Sequence, residues 1–185
     1  MGITEGFRQR RRLAVLLRET PKQRTLLELV PETLPQQGIA GLALDFDGVL
    51  APHGADEPTP EAAQWLTDCC RILGAGQIVI LSNRPTEERR NMLAHRFPGV
   101  QLVCGVRKKP HPDGLNKTGE LTGVPLSAIL MADDRLLTGC LAALLAGAVP
   151  FYVRNPFVRL RGNFRKELFF IILRGLERLY VKLIN

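Results

Sequence analysis

No stretch of this sequence is apolar for long enough to cross a bilayer. The longest run without a strongly polar side chain, residues 139–153, is interrupted by Gly147 and Pro150 and falls short of the roughly 20 residues a spanning helix needs. Four cysteines, Cys69, Cys70, Cys104 and Cys140, include an adjacent pair but no C-x-x-C, and His53, His95 and His111 are scattered without ligand spacing. That argues against a zinc site or a disulfide framework and for buried free thiols in a reducing compartment. The first 12 residues carry four arginines but no apolar segment followed by a small-residue cleavage site. No secretory signal is therefore expected, and the cytoplasm or the cytoplasmic face of a membrane is the expected location. Trp65, Tyr152 and Tyr180 are not interleaved with basic residues as a base-stacking platform requires, so no nucleic-acid partner is expected.

What is present is a globular chain: 185 residues, 45% of them hydrophobic, enough for one domain with extensions and too few for two catalytic domains. The net charge of +7 is concentrated at the ends. Residues 1–37 hold seven Arg/Lys against four Glu, residues 157–185 hold seven against two, and residues 38–156 hold eleven against twelve. A near-neutral core of residues 38–156 between two basic extensions suggests that the ends meet something anionic, a membrane surface or nucleic acid, with a merely solubilising surface as the alternative.

From residue 41 short apolar runs alternate with longer amphipathic stretches, the pattern of β-α units around a parallel sheet. Strands are expected at residues 41–46, 77–81, 100–104, 128–132 and 150–153. Helices are expected after Thr59-Pro60-Glu61 and Pro85-Thr86-Glu87, and over residues 136–146. Polar residues then cluster just past each of the first four strands: Asp45 and Asp47; Ser82-Asn83-Arg84; Lys108-Lys109; Asp133-Asp134. The carboxyl ends of parallel strands form the ligand crevice of an open α/β sheet, so the four clusters are expected to converge.

Asp45 and Asp47, with Gly48 permitting a sharp exit, suit a nucleophilic carboxylate beside a general acid/base. Asp134, with or without Asp133, is placed to complete an oxygen-ligand set for Mg²⁺. Ser82 and neighbouring backbone N–H groups could hold phosphoryl oxygens, and Lys109 could neutralise charge on nucleophile and phosphate. Taken singly, Asp47-Gly48 could be a turn, Ser82-Asn83 or Asp133-Asp134 a helix cap, and Lys108-Lys109 a solvated loop. Their occurrence in order is what favours a site.

In that order the motifs resemble the haloacid-dehalogenase superfamily: motif I at Asp45-Phe46-Asp47-Gly48-Val49-Leu50, motif II at Ser82, motif III at Lys109-Pro110 and motif IV at Asp133-Asp134. The resemblance covers residues 38–156 and implies an α/β fold, a three-layer Rossmann-like core with a mostly parallel sheet. It also implies Asp45 as nucleophile, Asp47 as acid/base that also binds metal through its backbone carbonyl, Ser82 and Asn83 at the phosphate, and Lys109 stabilising the intermediate. Mg²⁺ would be held by Asp45, Asp47 and Asp134, with Asp133 beside them. Ile80-Leu81-Ser82-Asn83, Lys108-Lys109-Pro110, Asp134-Arg135-Leu136-Leu137-Thr138 and Val153-Arg154-Asn155-Pro156 resemble the phosphatidylglycerophosphate phosphatase branch, of subclass IIIA type. That branch usually has Asn where this chain has Gly48 and an acidic residue where it has Gly139. Asp133 is the candidate replacement for the second, and reduced activity is the alternative.

Thirty-five positions separate Asp47 from Ser82 and 27 separate Ser82 from Lys109. Neither interval has room for a cap domain, so an open site is expected, suited to a phosphate carried on something large such as a lipid. In the C-terminal extension, residues 157–185, Phe169, Leu173, Leu176, Leu179, Tyr180 and Leu183 fall near one helical side, with Arg174, Arg178 and Lys182 in a row elsewhere. Such a helix could lie in an anionic membrane interface or pack on the domain or a second copy, and the arginines around residues 8–18 allow the same two readings. The expected function is a Mg²⁺-dependent phosphomonoesterase with phosphatidylglycerophosphate as best candidate substrate. The alternatives are another phosphomonoester (phosphoprotein, nucleotide or sugar phosphate) or a docking module without turnover.

Overall fold

The computed structural model describes residues 2–83 and 85–184. Five short strands, β1 (Gly41–Leu44), β2 (Ile78–Leu81), β3 (Gln101–Val103), β4 (Ile129–Asp133) and β5 (Val149–Tyr152), form one sheet in the order β3-β2-β1-β4-β5, with every pairing parallel. The expected strands are found within a few residues, β4 running one residue further so that Asp133 closes it.

Because side chains alternate across a strand, each strand supplies two cores. Leu42, Leu44, Ile78, Ile80, Leu130 and Ala132 face one side, where α3 (Pro60–Leu73) and α4 (Glu87–Arg96) pack with Trp65, Leu66, Met92 and Leu93. Ala43, Val79, Leu81, Ile129 and Met131 face the other, against α5 (Asp113–Thr122) and α6 (Leu141–Ala146). The result is a three-layer Rossmann-like α/β fold. Both helices start with a capping threonine: the Thr59 hydroxyl accepts from the Ala62 N–H ahead of Pro60, and the Thr86 hydroxyl accepts from the Arg89 N–H. The chain from β1 to α3 and from β3 to α5 is loop, with no inserted domain among the described residues.

The segment expected as a helix over residues 136–146 divides. Leu136–Cys140 is a π-helical turn that passes into α6. The widened turn accommodates the Asp133 carboxylate at its start, which accepts the Arg135 N–H at 2.9 Å and the Thr138 hydroxyl at 3.3 Å.

The two terminal segments meet on this side of the molecule. Leu13 and Leu17 of α2 (Arg10–Glu19), which follows α1 (Gly2–Arg8), join Leu136, Leu141, Tyr152 and Val181 of α7 (Phe164–Leu183) in a third buried cluster. Trp65 Nε1 donates to the Leu29 carbonyl at 2.6 Å, tying the segment before β1 to α3. No helix among the described residues is long and apolar enough to cross a membrane.

Candidate active site

The strand order reverses at β1: the chain leaves it toward β2 and β3, then returns to its other side as β4 and β5. The crevice at such a point, beyond the carboxyl ends of the strands, is the usual ligand position in open α/β sheets. Here a cavity of about 500 Å³ is lined by Asp45 and Asp47 after β1, Ser82 and Asn83 after β2, Lys108 and Lys109 from the loop after β3, and Asp134 after β4. Asp133, fully buried, sits beneath Lys109. Arg84, placed by the sequence beside Ser82 and Asn83, lies outside the described residues.

Lys109 joins two carboxylates. Its ammonium is 3.1 Å from Asp45 Oδ1 and 2.5 Å from Asp133 Oδ2. Burial acts to lower that ammonium, but Asp133 and Asp45 outweigh it and hold it above its ordinary value. Burial also pushes the Asp45 carboxyl up to about 7, Lys109 opposing and Asp133 and Asp47 adding to the rise. Asp134 is pushed up to about 8, again by burial and by Asp133, against the pull of Arg174. Asp45, Asp133 and Asp134 each offer a carboxylate oxygen within 4.8 Å of the others. Crowding raises the cost of ionising all three together, and the cations that face them within the chain are Lys109, on Asp45 and Asp133, and Arg174, on Asp134.

The donor set fits Mg²⁺. All three ligands are hard carboxylate oxygens, and Asp134 Oδ1 is buried with no hydrogen-bond partner, an orphan that a bound cation would satisfy. The Asp47 carboxylate stands apart from this group. It is gripped by both arms of Arg89, at 3.1 and 3.2 Å, and accepts the Gly54 N–H at 3.0 Å. Burial would raise Asp47, but the Arg89 fork and the Gly54 bond outweigh it and keep the group below its ordinary value.

Gly48 and Gly139, the two positions that differ from the resembled branch, both have a spatial reason. Gly48 has φ +81, and a Cβ there would lie 2.5 Å from Asp134 Oδ2, so only glycine fits both the backbone and the approach. At Gly139 a Cβ would lie 2.0 Å from Asp133 Oδ2 and 2.2 Å from its Cγ. The carboxylate of Asp133 thus occupies the room that a side chain at 139 would need.

Several residues at the site were not expected from the sequence. Arg89, 3% exposed, also donates to the Ala55 carbonyl at 2.7 Å and lies over the Phe46 ring at 3.9 Å. α7 contributes most of the others. Lys166 and Phe170 line the cavity, and Phe170 stacks on His53 with centroids 3.8 Å apart. Glu167 accepts the His53 N–H at 3.0 Å, Glu177 accepts from the Arg135 guanidinium at 3.0 Å, and Arg174 pairs with Asp134. The expected row of Arg174, Arg178 and Lys182 is therefore not a solvated stripe: Arg174 is buried against Asp134 and Arg178 is half-buried, leaving Lys182 exposed. The apolar side of the helix is the one turned outward.

A family model described as haloacid dehalogenase-like hydrolase matches residues 4–147. Among solved structures the chain is similar to an uncharacterized protein from Corynebacterium glutamicum ATCC 13032 Kitasato, determined at 1.44 Å. The identity is 23% and the TM-score 0.49, over 72% of this chain and 93% of that one. No curated protein matches the chain.

Proposed function

The chain belongs to the haloacid dehalogenase-like hydrolases, and from that premise we propose that it is a Mg²⁺-dependent phosphomonoesterase that works through a phosphorylated Asp45. The observation that carries the reading is the convergence of Asp45, Ser82, Lys109 and Asp134 on one open cavity. Asp45 would attack phosphorus, forming the aspartyl-phosphate bond as the P–O bond to the alcohol breaks, with Asp47 giving the alkoxide its proton. Asp47 would then take a proton from water, whose oxygen attacks phosphorus to release inorganic phosphate and restore the Asp45 carboxylate. As held by Arg89 and Gly54, Asp47 is ionised and suited to the second task; the first requires that substrate entry break the Arg89 contact and let Asp47 take up a proton. Ser82 and Asn83 would orient the phosphoryl oxygens, and Lys109 would favour the ionised form of Asp45, opposing the effect of burial. Mg²⁺ held by Asp45, Asp134 and Asp133 would supply electrostatic stabilisation of the phosphoryl oxygens.

Phosphatidylglycerophosphate is the substrate we favour, on the motif resemblance and the uncapped cavity, which leaves room for a headgroup whose acyl chains stay in a membrane. The test is Mg²⁺-dependent phosphate release from phosphatidylglycerophosphate in mixed micelles, beside a panel of soluble phosphomonoesters. Release from the lipid and its loss in Asp45→Asn support the proposal. Release from soluble esters alone removes the lipid, and turnover retained in Asp45→Asn overturns the mechanism.

A further inference from the structure

Helix α7 is turned inside out relative to an ordinary surface helix. Its inward side carries Glu167, Arg174 and Glu177, all buried and each engaged with the core through His53, Asp134 and Arg135 respectively. Its outward side carries Leu168, Ile172, Leu176, Leu179 and Leu183, spaced by three or four residues and 39% to 76% exposed. Phe164 and Phe169 widen the stripe. The helix attaches to the domain through these polar groups together with Phe170 and Val181 and leaves most of its other apolar residues to water, an arrangement that favours a partner for that face.

The charges around the stripe identify the partner. Arg161, Arg165 and Lys166 surround its N-terminal end, and Lys182 its C-terminal end, all exposed. Beyond Lys182, a second cavity of about 540 Å³ between α2 and α7 has Leu17 and Val181 in its lining together with Arg18, Lys22 and Lys182. Both carboxylates of α7, Glu167 and Glu177, are turned inward, so the outer face presents apolar and cationic groups alone. A second copy of the chain would set these cations against their own kind in either helix orientation, whereas an anionic lipid surface complements both the stripe and its rim.

We propose that the outward face of α7, with the basic cavity beside Lys182, docks the protein on an anionic membrane. The docking stands on the surface itself; its link to catalysis rests on the phosphatase reading, because Lys166 and Phe170 of the same helix line the acidic cavity and would bring it to headgroup level.

The experiment is flotation of the full-length protein with phosphatidylcholine vesicles, with and without phosphatidylglycerol, alongside hydrolysis of soluble p-nitrophenyl phosphate. Binding is expected to the anionic vesicles alone and to weaken with salt. The Ile172→Asp/Leu176→Asp variant is expected to lose about tenfold or more of the bound fraction, as is the Arg165→Glu/Lys182→Glu variant, while turnover of the soluble ester is unchanged. Wild-type protein that stays with neither vesicle, variants that bind as well as wild type, or light scattering that shows an α7-dependent dimer with no vesicle binding would each overturn the proposal. Docking by a protein that hydrolyses no ester supports this inference and sinks the phosphatase reading instead.

Discussion

Substituting Gly139 tests whether Asp133 has taken over the space, and with it the electrostatic position, of a side chain at 139. In Gly139→Ala the new Cβ would fall 2.0 Å from Asp133 Oδ2 and 2.4 Å from its Cβ, well inside van der Waals contact. The turn is buried at Gly139 and Cys140, so the carboxylate must give way. Leaving its position disturbs its hydrogen bonds with Lys109 at 2.5 Å, the Arg135 N–H at 2.9 Å and the Thr138 hydroxyl at 3.3 Å. Hydrogen bonds to a charged group are each worth about 1.5–3 kcal/mol, and overpacking adds about 1–3 kcal/mol. Alanine recovers about 1 kcal/mol over glycine in helical backbone. If one of these hydrogen bonds breaks outright, the net cost is about 3 kcal/mol, or a fall in Tm of roughly 10 °C for a chain of this size. Urea denaturation in EDTA measures it. Because the Asp133 Cβ is itself one of the obstructing atoms, the double variant Asp133→Gly/Gly139→Asp is the one that removes the obstruction and returns a carboxylate from the other side of the gap, and it should recover most of what Gly139→Asp alone loses. A Gly139→Ala protein within about 0.5 kcal/mol of wild type would refute the argument, as would strict additivity in the double variant.

How far the site could be read in advance depended on what fixes each residue. The carboxylates sit at or directly after apolar runs bounded by Gly, Pro or Asp, so their place at the carboxyl end of the sheet follows from strand period alone; Lys109, six residues past β3, was legible only from its order among the other clusters. Arg89 carries no such mark. It stands in the polar run Glu87-Glu88-Arg89-Arg90, which reads as a solvated helix face, and its burial depends on Asp47, Ala55 and Phe46, none of them near in sequence. The orientation of α7 was hidden for a different reason. Hydrophobic periodicity gives the stripe but not which side of the helix meets the domain, and the usual inference places the apolar side inward. The signal that could have shown it was the spacing of Glu167, Arg174 and Glu177, seven and then three residues apart, which puts charges of both signs on one helical side. The π-helical turn at Leu136–Cys140 left no periodic trace; it lies where the Asp133 carboxylate fills the space beside Gly139.

Two further perturbations separate the attachment of α7 from the chemistry. Arg174→Met leaves Asp134, 1% exposed, without its cation, and should cost about 3–5 kcal/mol in metal-free buffer, read from urea midpoints; midpoints equal to wild type would show that Arg174 does not hold the helix. His53 gives a pH dependence whose sign can be worked out. Burial lowers its pKa from 6.5 to about 4, with Arg174 and Lys166 adding to the fall and Asp47 and Glu167 opposing it. The folded protein therefore keeps His53 neutral over a range where the unfolded chain protonates it. Between about pH 6.5 and 4 the unfolded state binds more protons, so this contribution is fully present above pH 6.5 and is lost as pH falls through the window. A shift of that size corresponds to about 3 kcal/mol. His53→Asn removes the titration, so the difference in stability between wild type and variant should shrink by about that amount from pH 7 to pH 4. A difference that stays constant with pH would mean that His53 titrates alike in the folded and unfolded states, and one that grows as pH falls would mean that it is charged in the folded protein and paired with Glu167, 3.5 Å away.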